Sequence, residues 1–100
     1  MQIRIVATGS TPRERREKRW GLSFLIGESV LLDTFGLSDL FWENLCSMAE
    51  DVSRIRHVVL SHEHWDHVSG LEKFAEQRPA ATVYICPHTE PSVKAWIRGM

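Results

Sequence analysis

A dense cluster of metal-binding side chains follows a short apolar segment that ends at Leu60. Four potential ligands come within the next seven positions, namely His62, His64, Asp66 and His67. Imidazole and carboxylate groups are donors that zinc, iron and manganese accept, and three histidines at this density have few other common uses. The segment therefore predicts a metal site.

The spacing of these residues predicts how they converge. In an extended segment, side chains at i, i+2 and i+4 lie on one face, which would bring together His62, His64 and Asp66. His67 breaks that period, so it points elsewhere unless the chain turns there. A helical pattern begins after Gly70, and such a turn would let one loop serve two adjacent metals.

Two other metal motifs are excluded by their context. The pair His62-Glu63 suggests the H-E-x-x-H motif of zincins, but position 66 is an aspartate rather than the second histidine. A strand-borne H-x-H pair, as in double-stranded β-helix oxygenases, would lie within a long run of alternating strands. Here a helical pattern follows at once.

The remaining sequence predicts strands alternating with helices. The segment 57–61 is apolar on both sides, as expected for an inner, covered strand, and the histidine-rich loop leaves its carboxyl end. Ligands commonly bind at that end of strands in α/β sheets. Other strands are predicted near residues 2–8, 21–27, 29–34 and 82–85; helices are predicted from an N-cap at Ser38, around Leu71, Phe74 and Ala75, and after a cap at Thr89.

The H-x-H-x-D-H pattern after a hydrophobic strand resembles the signature of the metallo-β-lactamase fold superfamily. The resemblance implies that His62 and His64 help to bind a first metal, and that Asp66 and His67 help to bind a second. Asp66 is also the implied catalytic residue, since it would hold or orient the attacking water. Asp33 matches the strand-end aspartate that lies beneath the metals in this family and orients their ligands.

The same resemblance implies the fold. We expect an α/β chain that forms the amino-terminal half of an αβ/βα sandwich, with a mixed sheet and helices packed on one face. Residues 1–100 would be a single half-domain, because family members continue further and supply another histidine, a bridging aspartate and a last histidine. After His67 the only histidine is His88, and no aspartate follows Asp66. His88 is either a further ligand or a loop histidine beside a helix start.

One branch of the superfamily is particularly similar to this chain, the dihydropterin-linked ribofuranosylaminobenzene phosphate synthase-like branch. The chain departs from that branch at Phe35, which separates Thr34 from Gly36, and at Ser69, where a second glycine is common. The similar segments are Gly21-Leu22-Ser23, Asp33-Thr34, Asn44, Val59-Leu60-Ser61-His62 and Val83-Tyr84-Ile85-Cys86-Pro87-His88.

The function implied by the resemblance is metal-dependent hydrolysis. A divalent cation lowers the pKa of a bound water to about 7, so hydroxide would attack an ester, thioester, lactone or phosphoester. Zinc is the metal that this ligand set favours, with iron, manganese or magnesium as alternatives, and up to two ions are implied.

Residues 13–19 form a basic segment with five positive and two negative charges. Arg13, Arg15 and Arg16 could bind an anionic small-molecule substrate through their bidentate donors, or the segment is a solvated hairpin. Trp65, inside the histidine-rich loop, either lines the rim of a substrate pocket or supports the loop from behind.

Two alternative functions stay open. The first is a non-catalytic metal-binding half-domain that self-associates or pairs with a partner chain, because a missing half would leave apolar surface uncovered. The second is a nucleic-acid-processing relative that uses the basic segment 13–19 to follow phosphates.

We expect a soluble protein, and a cytoplasmic one by default, because the first residues read as a strand rather than as a secretory signal. A formal net charge of −1 gives no general attraction to nucleic acid or membranes. No apolar stretch approaches the roughly 20 residues of a membrane helix. Cys46 and Cys86 do not form a disulfide framework, and we expect both to be buried thiols.

Overall fold

The structure, a computed structural model, describes residues 1–9, 13, 21–34, 38–63 and 65–100. Its strands are β1 (Ile3–Gly9), β2 (Gly21–Ile26), β3 (Val30–Leu32), β4 (His57–Val59) and β5 (Thr82–Tyr84). Its helices are α1 (Ser38–Met48), α2 (Trp65–Val68), α3 (Leu71–Gln77) and α4 (Pro91–Arg98), with a 3-10 turn at Val52–Arg54.

The five strands form one mixed sheet in the order β1-β2-β3-β4-β5. The first three strands are antiparallel neighbours, whereas β3, β4 and β5 run parallel to one another. Gly27 adopts a left-handed backbone with φ of 60° in the tight turn between β2 and β3. Because β3 and β4 are parallel, their carboxyl ends meet at one edge of the sheet, and this edge positions the site.

One face of the sheet carries the hydrophobic core. Leu25, Leu31 and Val58 are cross-strand neighbours in one row, and each is almost fully buried. The helices bury their apolar side chains against this row, which confirms the predicted mixed α/β architecture with helices on one face. The helical members of the core are Phe41, Leu45, Val68, Leu71 and Phe74.

The opposite face of the sheet is apolar as well, but it is partly exposed. Ile5, Phe24, Leu32, Val59 and Tyr84 are successive cross-strand neighbours, and Ile5 and Tyr84 are 57% and 46% exposed. We call this surface the open face; its apolar members are Ile3, Ile5, Phe24, Ile26, Val30, Leu32, Val59 and Tyr84.

The predicted inner strand is confirmed in position but covered on one side. β4 lies between β3 and β5, and Val58 is fully buried, whereas its neighbour Val59 on the open face is only half-buried. The strand is shorter than predicted, since it ends at Val59. Leu60 is nevertheless buried, and its N–H donates to the carbonyl of Tyr84 at 2.9 Å.

The predicted cap of the last helix is wrong by one residue. Glu90, rather than Thr89, is the N-cap of α4, and its carboxylate accepts hydrogen bonds from the N–H and hydroxyl of Ser92. Thr89 is buried before the helix begins. Pro91 occupies the first turn as predicted.

The expectation of two buried thiols is also wrong, because Cys46 and Cys86 are both exposed. Cys46 follows the buried Leu45 by one residue on α1, a rotation of about 100° around the helix, so it leaves the core. Cys86 lies beyond the end of β5, in the turn toward α4.

Across the described part of the chain, no helix has the length and apolar character that crossing a bilayer requires.

Candidate metal centre

The histidine-rich loop leaves the carboxyl end of β4 beside the carboxyl end of β3. Leu32 and Val59 are neighbours in the parallel pairing of these strands, so the residues that follow them lie at the same edge. Asp33 follows β3 directly, and Ser61 follows β4 after one intervening residue. Parallel topology therefore brings together two residues that are far apart in the sequence.

Asp33 is completely buried and has a backbone conformation that is uncommon for a residue with a side chain. Its φ is 59°, the only positive value at a described residue other than glycine. Its N–H donates to the carbonyl of Val59 at 2.9 Å, and its carbonyl accepts from the hydroxyl of Ser23 at 2.7 Å. Such conformations persist where the surroundings hold them, and they concentrate at functional sites.

The Asp33 carboxylate accepts three hydrogen bonds inside the protein. The N–H of Ser61 donates to Oδ1 at 2.7 Å, and the hydroxyl of Ser61 donates to Oδ2 at 2.5 Å. Nδ1 of His67 lies 3.0 Å from the same Oδ2. Since an ionised carboxylate only accepts hydrogen bonds, Nδ1 of His67 is the donor in this contact, and in the neutral ring the lone pair is then on Nε2.

The backbone of His67 is held by the residue next to Asp33. The N–H of Thr34 donates to the carbonyl of His67 at 2.7 Å, and the Thr34 hydroxyl approaches the same carbonyl at 3.1 Å. Thr34 is fully buried. The Asp33-Thr34 corner thus fixes both the ring and the main chain of His67.

A second imidazole lies directly against this ring. The rings of His62 and His67 are stacked, with centroids 5.2 Å apart and planes inclined by 23°. Helix α2 begins at Trp65, and this early turn brings His67 back beside His62. The expectation that the segment stays extended through position 66 is therefore wrong. The chain instead turns at Trp65, and this turn lets His67 lie beside His62.

These residues fit a divalent metal by the chemistry of their donors. His62 and His67 offer two imidazoles in one place, and one ring nitrogen of His67 donates to a carboxylate, as metal-bound histidines usually do. Among the described residues, which leave out His64 and the side chain of Asp66, no group of three or more His, Cys, Asp or Glu side chains is arranged to hold a metal.

The other predicted site residues are placed only in part. The backbones of Trp65 and Asp66 lie in α2, but their side chains, like all of His64, Arg15 and Arg16, are outside the described residues. Arg13 is described and exposed. Of the predicted metal ligands, the structure thus brings together the rings of His62 and His67, and Asp33 contacts His67.

His88 is exposed in the turn between β5 and α4. Its neighbours Cys86 and Thr89 line a narrow recess together with His62 and Glu63, so this turn borders the histidine-rich loop. His88 itself does not line the recess. Its interpretation as a further ligand stays a prediction.

Sequence reasoning gave no role to Ser61 or Ser23, although both stand in segments that it singled out. The missing information was the pairing of strands, because Ser61 meets Asp33 only across the parallel β3–β4 ladder. Ser23 likewise meets Asp33 across the β2–β3 hairpin. A serine directly beyond an inner strand, beside a strand-end aspartate, is the signal that could have indicated the contact.

The profile of the metallo-β-lactamase superfamily matches residues 8–97. This chain therefore belongs to that superfamily, and the mixed sheet with helices on one face is compatible with one half of its domain. Membership supports a function of the metallohydrolase type, in a superfamily that commonly binds divalent metals. No curated protein matches the chain. The branch suggested by the sequence stays a prediction.

Proposed function

We propose that this chain is a metal-dependent hydrolase whose centre lies at the carboxyl ends of β3 and β4. The observation that carries the proposal is the pair of stacked imidazoles, His62 and His67, with the Nδ1 proton of His67 held by buried Asp33. In the neutral ring this arrangement puts the lone pair on Nε2, the nitrogen that would bind a metal. A divalent cation is the partner that fits the donor type.

Each residue of the centre has a definite task in this proposal. His62 and His67 bind the metal through neutral imidazole nitrogens, with His64 and Asp66 as the additional ligands that the family pattern supplies. Asp33 keeps the Nδ1 proton on His67 and so preserves its ligating nitrogen. Asp66 holds the attacking water. A metal in this position supplies a nucleophile at neutral pH by lowering the pKa of a water that it binds.

The proposed substrates are anionic small molecules with an ester, thioester, lactone or phosphoester bond. Arg13, Arg15 and Arg16 would recognise the anion, and Trp65 would line the pocket. Within the family, we place the chain in the dihydropterin-linked branch, which favours a phosphorylated or heteroaromatic substrate. Zinc is the proposed metal. Of the basic segment on which a nucleic-acid-processing role would depend, the structure describes Arg13 alone.

Metal content is the first test of this proposal. The purified chain, saturated with zinc and then dialysed, should retain a stoichiometric amount of metal, whereas His62→Ala and His67→Ala should lose most of it. His57→Ala is the matched control, because His57 lies on β4 at the opposite end of the strand and contacts Tyr84 instead. Equal zinc retention by all four proteins would overturn the proposed centre.

Activity is the second test. Zinc-loaded protein should hydrolyse a member of a panel of phosphodiesters, thioesters and lactones, and His67→Ala should abolish that turnover. Hydrolysis that survives in His62→Ala and His67→Ala alike would assign the activity to different chemistry.

A second candidate function, a self-assembling half-domain, is favoured by the open face. Parallel strands are almost always covered on both faces, because their residues are apolar on both sides. In the described residues the helices cover one face, and the apolar row from Ile5 to Tyr84 stays partly exposed on the other. A second copy of the chain would cover this row by sheet-on-sheet packing. In this alternative the metal would stabilise the assembly without catalysis.

Solution mass tests the second candidate independently of metal. The chain should be dimeric by light scattering, and Ile5→Lys should shift it to monomer by placing a charge at an exposed end of the apolar row. Ala95→Lys is the matched control, since Ala95 is exposed on α4. A parent chain that is monomeric at high concentration would exclude self-assembly and leave the hydrolase proposal intact.

A further inference from the structure

The Asp33 carboxylate is oriented mainly by one residue, Ser61. Its N–H binds Oδ1 and its hydroxyl binds Oδ2, so both carboxylate oxygens are engaged by the same residue. A carboxylate is otherwise free to rotate about the bond that joins it to Cβ. Two donors from a single fixed residue remove that rotation and set the plane of the group.

The orientation of the Asp33 carboxylate determines whether a lone pair of Oδ2 points toward Nδ1 of His67. Oδ2 accepts from the Ser61 hydroxyl at 2.5 Å and from Nδ1 of His67 at 3.0 Å. With the carboxylate plane fixed, a lone pair of Oδ2 lies where the imidazole N–H must come to meet it. The hydroxyl of Ser61 therefore acts on the His67 ring through Asp33, although Ser61 makes no described contact with the ring itself.

The main chain at Asp33 is fixed independently of His67. Ser23 and Val59 hold its carbonyl and its N–H, and together they maintain the left-handed backbone. The Cβ of Asp33 thus leaves the backbone in a set direction, and the remaining freedom of the side chain is the rotation that Ser61 removes. Neither Ser23 nor Val59 is among the predicted metal ligands, so these contacts are separate from the metal centre.

We propose that Ser61 is a positioning residue of the metal centre, which selects the Nδ1–H tautomer of His67 by fixing the Asp33 carboxylate. The proposal rests on the proposed function for its purpose, since the tautomer of His67 matters for function only if His67 binds a metal. The tautomer itself is a property of the metal-free chain. It can be measured whether or not the chain proves to be a hydrolase.

The experiment combines histidine NMR of the metal-free chain with zinc titration. Long-range ¹H–¹⁵N spectra of the parent, at a pH where its imidazoles are neutral, should show His67 protonated at Nδ1. Ser61→Ala should give a mixture of tautomers and about 10- to 100-fold weaker zinc binding, the loss that outer partners of metal ligands usually cause. Ser61→Thr keeps the hydroxyl, and its added methyl is tolerated because Ser61 is exposed, so it should restore both readouts.

The matched control is Ser53→Ala. Ser53 donates the same two groups, its N–H and its hydroxyl, to one oxygen of the Asp51 carboxylate, in an exposed place away from the centre. This variant should leave the His67 tautomer and the zinc affinity unchanged. A loss of zinc affinity in Ser53→Ala equal to that in Ser61→Ala would overturn the proposal.

Two results separate this inference from the proposed function. If the parent binds no zinc but His67 is protonated at Nδ1 in the parent and mixed in Ser61→Ala, the positioning role stands and the metal proposal fails. If the parent binds zinc and Ser61→Ala changes neither readout, the metal proposal stands and the positioning role is overturned. Should Ser61→Ala not fold, a parent His67 protonated at Nε2 would overturn the positioning role by itself.

Discussion

Two serine–aspartate pairs in this protein use the same two serine donors in opposite surroundings. Ser53 donates its N–H and hydroxyl to one oxygen of Asp51, two residues away, at the start of an exposed 3-10 turn. Ser61 donates the same two groups to the two oxygens of Asp33, which is distant in sequence and fully buried. The local pair caps a turn, whereas the long-range pair holds a third group, the His67 ring. Burial, topology and the engagement of both oxygens distinguish the positioning pair from the cap.

Removal of the Asp33 side chain should lower the free energy of unfolding far more than removal of the Asp51 side chain. In Asp33→Ala, the Ser61 N–H, the Ser61 hydroxyl and His67 Nδ1 all lose their acceptor. These donors are only partly buried, but each loses a hydrogen bond to a buried charged group, worth about 1 kcal/mol, so we expect a loss of about 3 kcal/mol in the free energy of unfolding.

Urea denaturation measures that effect, with Asp51→Ala as the matched control. The Asp51 side chain is solvent-exposed, so its removal should have a much smaller effect. Equal destabilisation by the two substitutions would mean that burial does not distinguish the pairs.

Two buried serines should respond in opposite directions to the loss of a hydroxyl. The hydroxyl of Ser23 donates to the carbonyl of Asp33, whereas the buried hydroxyl of Ser69 has no hydrogen-bond partner in the part of the chain that the structure describes. We expect Ser23→Ala to destabilise the fold by about 1 kcal/mol and Ser69→Ala to stabilise it by about the same amount. Thermal unfolding of both variants checks the sign, and a destabilised Ser69→Ala protein would reveal an acceptor for that hydroxyl.

A smaller effect is expected where the left-handed backbone belongs to glycine. Gly27 and Asp33 have nearly the same φ, but a Cβ at Gly27 would meet no atom within 4 Å. Gly27→Ala should therefore cost only the conformational penalty, about 1 kcal/mol. Gly99→Ala is the control, because Gly99 has a φ of −78° and its added Cβ would make ordinary contacts. Chemical denaturation should rank Gly27→Ala below Gly99→Ala in stability.

The smallest expected effect is on the pKa of Asp51 and on the stability of the fold in acid. The hydrogen bonds from Ser53, first that of its hydroxyl and then that of its N–H, lower the pKa of Asp51. A lowered folded pKa contributes stability above the ordinary carboxyl range, and this stability is lost as pH falls through the folded value. Ser53→Ala should raise the pKa of Asp51 toward its ordinary value in an NMR titration. Ser47→Ala, whose hydroxyl binds a backbone carbonyl, should leave that pKa unchanged.

The same contrast explains how much of the molecule the sequence could predict. Alternation of apolar residues predicted the strands and helices, and the density of histidines predicted the site, because both signals are local. The stacking of His62 on His67 was missed, since the period of an extended chain was applied to a segment that turns at Trp65. The contact of Ser61 with Asp33 requires the parallel pairing of β3 and β4, which no local pattern specifies.

Zinc-edge X-ray absorption of the zinc-loaded chain identifies the atoms that bind the metal. We expect a first shell of nitrogen and oxygen donors with at least two imidazoles, and a loss of imidazole scattering in His67→Ala. The exposed thiols of Cys46 and Cys86 are the competing ligands. A first shell dominated by sulfur, unchanged by His67→Ala, would contradict the account.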